Sequence, residues 1–249
     1  MREKIKIWER KFQIPISSVN FRGELRLDSI FNFMQNEALM HSERIGVGFK
    51  KFLNDGQIWV LTWAKIKIIK YPKFEEFITI KTWLKEQKKL FTMRDFIFLN
   101  SEEKEIVKAS TGWLLLNAET KRPTKPKDLP DTVEFIPEEK ALDEEPKKLE
   151  AIENPVKLKE KKIGYTDIDM NNHTNNSKYI EFILDSFPLE RFKKSSINEL
   201  TLFFFSESRF GDIIEIYHKQ KNNITNVLIR NKSKETQLLR ADIIWNNLK

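Results

Sequence analysis

The sequence predicts an α+β protein built twice on one plan, a long helix followed by an antiparallel sheet. Three observations carry this. One stretch in each half places apolar residues at steps of three and four. Each such stretch precedes alternating or continuous apolar segments bounded by turn signals. The order of these elements then recurs about 148 residues further on, the period of a duplicated domain and not of a solenoid.

In the first half, Phe12–Ile16 reads as a strand and Ser17–Glu24 as a polar connection. Leu27, Ile30, Phe31, Met34, Ala38, His41 and Ile45 mark one helix face, with Asp28 as the expected N-cap and Gly46 and Gly48 as the stop. Strands are expected at Trp59–Ile69, Phe77–Leu84, Phe91–Leu99 and Ile106–Leu116, with Asn100–Lys104 as a turn. The second half repeats this. Lys157–Tyr165 is a strand, Thr166–Asn176 a polar loop, and Tyr179, Ile180, Ile183, Leu184 and Phe187 a helix stripe that Pro188 stops. Strands follow at Glu199–Phe205, Asp212–Lys219, Asn226–Arg230 and Gln237–Trp245, with turns at Asn222–Asn223 and Asn231–Lys234. Between the halves, Ala118–Asn154 carries five prolines and blocks of mixed charge, which is linker composition. The expected organisation is therefore 1–117, a linker 118–154, and 155–249.

Composition excludes several classes of function. Apolar residues make up 40% of the 249, so packed cores are affordable and disorder is not expected. With no cysteine there is no disulfide, no thiolate-bound zinc or iron–sulfur cluster, and no thiol nucleophile. No apolar run approaches the length of a membrane span, and MREKIKIWERKF lacks the apolar region of a signal peptide, so a cytoplasmic protein is expected. The formal charge of +7 suits an acidic partner, or simply reflects a lysine-rich solvated surface. No basic helix or aromatic RNA-binding signature supports a nucleic-acid partner. Gly46-Val-Gly48 lacks the third glycine of a phosphate loop, and neither a Gly-x-Ser-x-Gly elbow nor a His-Glu-x-x-His pair occurs. The three histidines are far apart, so no histidine metal site is expected. His41, on the apolar helix stripe, reads as a hydrogen-bonded core residue, and His218 as a surface or packing residue.

His173 differs in its company. Thr166–Tyr179 sets two Asp, four Asn and one His just before a helix. Asn and Asp favour turns and caps, so Asn175 or Asn176 could serve only to cap that helix. The same placement also puts a carboxylate, an amide and an imidazole beside the helix N-terminus, whose backbone N–H groups suit a developing oxyanion. Ser206-Glu207-Ser208-Arg209, after the apolar strand 200–205, offers a second candidate. Glu207 there is either an ion-paired surface residue, with Arg209 as the partner, or a general base.

Asp169, Asn171, His173, Asn175, Asn176 and Tyr179 match the pattern Asp-x-Asn-x-His-x-Asn-Asn-x-x-Tyr, and the chain resembles the acyl-acyl carrier protein thioesterases. The resemblance extends to Gln35-Asn-Glu-Ala, Trp59-Val-Leu-Thr, Tyr71-Pro72, Met93-Arg-Asp-Phe, Ala109-Ser-Thr-Gly-Trp and Thr120-Lys-Arg-Pro. It implies a tandem double hot-dog and hydrolysis of fatty acyl-acyl carrier protein. The implied catalytic set is Asp169, Asn171, His173 and Glu207, with Asn175 and Asn176 at the oxyanion end of the helix. The family's Glu–Cys pair reads Glu207-Ser208 here, so attack by cysteine is impossible, and Ser208 is expected to fill the cysteine's space, with attack by Ser208 itself as the minor alternative. Water activated by Glu207 is the expected route, with direct attack by Glu207 as the lesser alternative. His173 would orient water or thioester and donate to the leaving thiolate, Asn171 would hold water or carbonyl, and Asp169 would fix the geometry and charge state of the loop through Asn171 or His173.

The matching first-half loop, Val19-Asn-Phe-Arg-Gly-Glu, lacks the Asp-Asn-His set, so that half is expected to be silent and to hold the acyl chain. Phe33, Met34, Ala38, Trp59 and Trp63 are the candidate lining residues, with plain core packing as the alternative for each. The acidic carrier protein, whose phosphopantetheine arm brings the thioester, is the expected partner. Lys65, Lys67, Lys85, Lys88, Arg191, Lys193 and Lys194 are its candidate docking residues. No cofactor or metal is expected, and association into a homodimer is left open. An acyl-CoA thioesterase of the same fold and a non-catalytic acyl-binding protein are the competing readings.

Overall fold

The structure, a computed structural model, describes residues 4–126 and 129–248 in two units, the first ending at Glu145 and the second beginning at Pro146. Residues 1–3, 127–128 and 249, which fall within the expected domain and linker ranges, lie outside the described residues.

Unit 1 runs β1 (Ile7–Gln13), a single 3-10 turn, α1 (Leu27–Arg44), α2 (Phe49–Asn54), β2 (Gln57–Ile68), β3 (Phe77–Lys88), β4 (Phe91–Leu99), β5 (Glu105–Asn117) and the short β6 (Pro123–Thr124). The strands pair antiparallel in the order β1-β3-β4-β5-β2, with β6 on the end of β5. The stripe read from the sequence is the buried face of α1: Leu27, Ile30, Phe31, Met34, Ala38 and His41. Each large apolar side chain buried there is worth roughly 1.5–3 kcal/mol, so packing and not intrinsic propensity holds the helix. Gly112 on β5 answers a steric need. A Cβ there would lie 2.0 Å from the indole nitrogen of Trp63 on the neighbouring β2.

Several expectations are corrected. The N-cap of α1 is Arg26, not Asp28. Asp28 lies in the first turn, where its carboxylate complements the helix dipole and accepts from the Arg26 guanidinium at 3.2 Å. The first strand lies earlier than read, because Pro15 and the 3-10 turn Ile16–Ser18 take the chain off the sheet. The helix α2 has no counterpart in the sequence reading. Its start is held by Glu43, which accepts the Phe49 N–H at 2.9 Å. Residues 118–145 are part of unit 1 and not a free linker. Ile136 and Ala141 pack on Trp83, the Trp83 indole donates to the Glu139 carbonyl at 3.2 Å, and Asp95 accepts the Ala141 N–H at 2.8 Å. Few apolar residues carry this docking, which is why composition alone read as linker.

Unit 2 runs β7 (Val156–Lys162), a 3-10 turn (Tyr165–Asp167), α3 (Asn176–Leu184), α4 (Leu189–Lys194), β8 (Ser195–Phe204), β9 (Ile213–Lys221), β10 (Ile224–Asn231) and β11 (Gln237–Asn247). Its antiparallel order β7-β9-β10-β11-β8 reproduces that of unit 1. Each unit is thus a helix laid on an antiparallel sheet, the hot-dog arrangement. The two helices differ in length: α1 has 18 residues and α3 only 9, so the expected long helix is present in unit 1 alone. Pro188 does not stop α3, which ends at Leu184. It is the N-cap of α4.

Candidate active site

The polar loop before α3 is a closed backbone structure. Ile168 and Thr174 form an antiparallel bridge, and the Asp169 N–H donates to the His173 carbonyl at 2.8 Å. Asp169 Oδ1 accepts the backbone N–H groups of Asn171 (2.8 Å) and His173 (3.3 Å). Asn172 turns the chain at φ 61°, a left-handed conformation that asparagine tolerates. Unit 1 repeats this loop bond for bond. Val19 bridges Leu25, the Asn20 N–H donates to the Glu24 carbonyl at 2.8 Å, and Asn20 Oδ1 accepts from Arg22 (2.8 Å) and Glu24 (3.1 Å). Gly23 takes the left-handed position. Asn20 therefore matches Asp169, and Glu24 stands where unit 2 has His173.

The strand-end segment is tied to this loop. The Thr174 N–H donates to the Ser208 carbonyl at 2.8 Å, as the Leu25 N–H does to Pro72 in unit 1. Glu207-Ser208 thus corresponds to Tyr71-Pro72. Ser208 is fully buried, and its hydroxyl is 2.8 Å from those of both Thr174 and Tyr179. The Ser208 N–H also donates to the Tyr179 oxygen at 3.1 Å. Burial pushes the Tyr179 phenol above its ordinary value, so it serves here as a neutral hydrogen-bonding post. Ser208 fills the interior, and its hydroxyl contacts are to two other hydroxyls, with no imidazole or carboxylate among them.

This anchoring brings His173 and Glu207 together. Nδ1 of His173 lies 2.8 Å from Glu207 Oε2, with the imidazole 19% and the carboxylate 51% exposed, so water and a ligand can reach the carboxylate. Arg209 contacts His173, not Glu207: its Nη2 is 3.2 Å from His173 Nε2. A guanidinium only donates, so Nε2 accepts and Nδ1 carries the proton given to Glu207. This Arg209–His173 contact is what sequence reasoning missed. Its only trace is the Glu-x-Arg spacing 207–209.

The other expected site residues fall as follows. Asn171 is exposed and presents its amide to solvent beside the loop. Asn175 is the N-cap of α3, its Oδ1 taking the Ser177 N–H and hydroxyl, each at 3.0 Å. Asn176 is the first helical residue. In unit 1, Met34, Ala38 and Trp63 are buried in the core. Phe33 packs on Phe12 (5.3 Å between centroids) and Trp59 edge-on to Phe52 (5.3 Å).

Two of the expected docking cations are engaged by the protein itself. Lys85 is 4% exposed and faces Asp95 at 3.8 Å, and the Arg191 guanidinium stacks 3.9 Å over the Trp245 ring. Their stems or heads are used for packing. Lys88 pairs with Glu145 (3.1 Å) and Lys193 with Glu190 (2.7 Å) at the surface, whereas Lys67 and Lys194 are exposed with no ion pair among the described residues. Lys65 is half-buried.

The remaining histidines serve structure. His41 Nε2 meets the Ile5 carbonyl at 2.9 Å and Nδ1 meets the buried Arg94 guanidinium at 2.9 Å. Burial first, then the Arg94 charge, lowers its pKa to about 4. His218 lies 6.0 Å from the Phe187 ring, and burial lowers its pKa as well. Among the described residues no cluster of three or more His, Asp or Glu is arranged to hold a metal ion, and no helix is long and apolar enough to cross a membrane.

A duplicated hot-dog unit with a carboxylate–imidazole pair in its second copy defines the class as a tandem hot-dog protein. Comparison with known families resolves the member. The acyl-ACP thioesterase N-terminal domain matches residues 5–132 and its C-terminal domain residues 150–247, so the chain belongs to the acyl-ACP thioesterase family. It is 27% identical to the chloroplastic oleoyl-acyl carrier protein thioesterase 2 of Arabidopsis thaliana, over 84% of this chain and 61% of that one. It is 28% identical to a chloroplastic acyl-[acyl-carrier-protein] hydrolase of Cuphea viscosissima, over 84% of this chain and 53% of that one. The chain therefore spans less than two thirds of the length of these plant relatives. The crystal structure of an acyl-ACP thioesterase from Bacteroides thetaiotaomicron superposes with a TM-score of 0.90 at 27% identity, covering 96% of this chain and 98% of that one.

Proposed function

We propose that the chain hydrolyses the thioester of fatty acyl-acyl carrier protein, releasing free fatty acid and the holo carrier. The observation that carries this reading is the His173–Glu207 pair, 2.8 Å apart, on a loop whose backbone is pinned by Asp169. His173 holds Oε2 of Glu207, and Oε1 has no partner among the described residues, which leaves it to act as a base. Glu207 takes a proton from water as the water oxygen adds to the thioester carbon and the carbonyl π pair moves onto oxygen. Collapse reforms the carbonyl and breaks the C–S bond, and Glu207 returns its proton to the departing thiolate. His173 keeps the carboxylate aimed, Asn171 holds the attacking water, and Asp169 keeps the loop closed. No cofactor enters beyond the phosphopantetheine that carries the substrate.

The partner in this reading is the acidic carrier protein, drawn by the +7 net charge, with Lys67 and Lys194 as the exposed cations left to meet it. Unit 1 takes the acyl chain, and the half-buried Phe33 and Trp59 are better placed to touch it than Met34, Ala38 or Trp63, which already fill the core. The reading extends to a bacterial cytoplasm, on the Lys-, Ile- and Asn-rich composition, and light scattering would tell whether two copies associate.

The test is release of fatty acid from acyl-carrier proteins of graded chain length by wild type, His173→Ala and Glu207→Ala. Turnover that collapses in both variants supports the reading. Faster turnover of matched acyl-CoA would move the substrate assignment to coenzyme A, and binding without release by wild type would overturn the enzyme reading.

A further inference from the structure

The segment that carries Glu207 has no regular structure, and its far end is closed by one side chain. Asp212 Oδ2 accepts the Arg209 N–H at 3.0 Å, and the Asp212 N–H donates back to the Arg209 carbonyl at 3.0 Å. The Asp212 carbonyl accepts the Ile163 N–H at 2.9 Å, which ties the same turn to the chain entering the His173 loop. Unit 1 makes this closure with Glu76. Its carboxylate accepts the Lys73 N–H at 2.9 Å, its N–H donates to the Lys73 carbonyl at 3.1 Å, and its carbonyl accepts from Ile14 at 2.9 Å. The turn after β10 has its match as well. Asn231 Oδ1 accepts the N–H groups of Ser233 and Lys234, both at 3.1 Å, as Asn100 Oδ1 accepts those of Glu102 (3.0 Å) and Lys104 (2.9 Å). Bonds shared in this way fold both units, reactive or not.

One link differs between the units. Asn231 is fully buried, and its Nδ2 donates to Asp212 Oδ2 at 2.8 Å, with Lys234 Nζ on the same oxygen at 3.0 Å. Burial opposes ionisation of Asp212, but the Arg209 N–H, Lys234 and Asn231 outweigh it and hold the carboxyl below its ordinary range, so the acceptor stays charged. In unit 1 the Asn100 amide makes no such bond to Glu76 among the described residues. The extra clamp is thus confined to the unit whose turn presents a reacting carboxylate. That carboxylate is half exposed and is held by His173 alone, so its aim depends on the backbone of 207–209. We propose that Asn231 is a positioning residue: through Asp212 it fixes the turn from which Glu207 is presented to the thioester. This rests on the hydrolytic reading above and adds to it a residue that touches neither Glu207 nor His173. A misplacement of about 1 Å at the reacting atoms can cost ~10²-fold in rate, so a clamp of this kind has kinetic weight.

The experiment reads kcat and KM on acyl-carrier protein for wild type, Asn231→Ser, Asn231→Asp and Asn100→Ser. In Asn231→Ser the side chain is too short to reach Asp212, yet its hydroxyl can still cap the turn. It should lower kcat by ~10–10², with KM changed by less than about two-fold. Asn100→Ser makes the same change in the matching turn of unit 1 and should leave kcat as in wild type. Asn231→Asp keeps the size and both turn bonds but sets a carboxylate against Asp212. It should lose rate near neutral pH and regain it, relative to wild type, as acid returns a proton that can be donated to Asp212. This variant also carries the test where Asn231→Ser does not fold. Wild-type kcat in Asn231→Ser, an equal loss in Asn100→Ser, or a rate ratio for Asn231→Asp that ignores pH overturns the assignment and leaves the hydrolytic reading intact. Absence of turnover in wild type overturns both.

Discussion

The hydroxyl of Ser208 lies 2.8 Å from that of Tyr179, and each is buried. With Thr174 at the same distance, the contact joins the strand-end segment carrying Glu207 to the loop carrying His173. Ser208→Ala leaves two buried hydroxyls one partner short and should cost ~1–3 kcal/mol of stability, read as a lowered Tm. Fatty acid release should fall by less than about ten-fold, because Glu207 and His173 remain. A loss matching that of Glu207→Gln would mean that Ser208 is the nucleophile.

Glu207→Gln keeps the shape and removes the base. The carboxylate is half exposed and holds no core together, so the Tm should move little while the single-turnover rate falls by ~10²–10⁴. Full activity would end the water-activation mechanism.

Asp169 and Asn20 make the same two backbone bonds in matching loops, so an amide does this job in unit 1 already. Asp169→Asn should therefore fold as wild type does, within about 0.5 kcal/mol, whereas Asp169→Ala orphans two N–H groups and should cost ~1–3 kcal/mol. Chemical denaturation of the pair checks this. Equal destabilisation by both substitutions would show that the carboxylate charge, and not its bonding geometry, holds the loop.

The stability of unit 1 should depend on pH through His41. Its pKa is about 4 in the folded state against 6.5 unfolded, so between those values the unfolded chain binds the extra proton. The contribution is complete above pH 6.5 and is lost as pH falls toward 4, about 3 kcal/mol in all at ~1.4 kcal/mol per pH unit. Burial raises the pKa of Asp95, which works in the opposite sense, so the measurement is the difference in denaturant stability between wild type and His41→Gln across that window. A difference that stays constant with pH would show that His41 does not titrate on unfolding.

Docking steered by charge should weaken with salt. KM for acyl-carrier protein should rise several-fold from low to high ionic strength, and Lys67→Glu should raise it further at low salt only. A KM that ignores salt would remove the charged docking surface.

Much of the fold was legible because it rests on period. The stripe from Leu27 to His41 and the alternation in β2 need no knowledge of anything distant. Elements that depend on a remote partner were not. The helix α2 starts because Glu43 reaches over Gly48 to the Phe49 N–H, and residues 118–145 belong to unit 1 because Trp83 and Asp95 receive them. At the site, the Asn- and Asp-rich composition of 167–176 marked the loop, and the Glu207 alternatives were written into one tetrapeptide. What settles between them is the turn from 205 to 212, which aims Arg209 at His173 and leaves Glu207 facing the other ring nitrogen. That direction is a property of two loops together, and neither sequence segment contains it.

The matched loops at Asn20–Glu24 and Asp169–His173 separate what folds a site from what makes it react. The hydrogen bonds that close both loops are made by backbone groups and one Asx side chain, so the closure itself does not depend on which side chain stands at position 24 or 173. A duplicated gene of this kind can lose one reactive centre, or regain it, by a handful of substitutions on an unchanged frame. Unit 1 is then a ready chassis for engineering: Glu24→His and Tyr71→Glu would install the imidazole and carboxylate on a loop already shaped to present them.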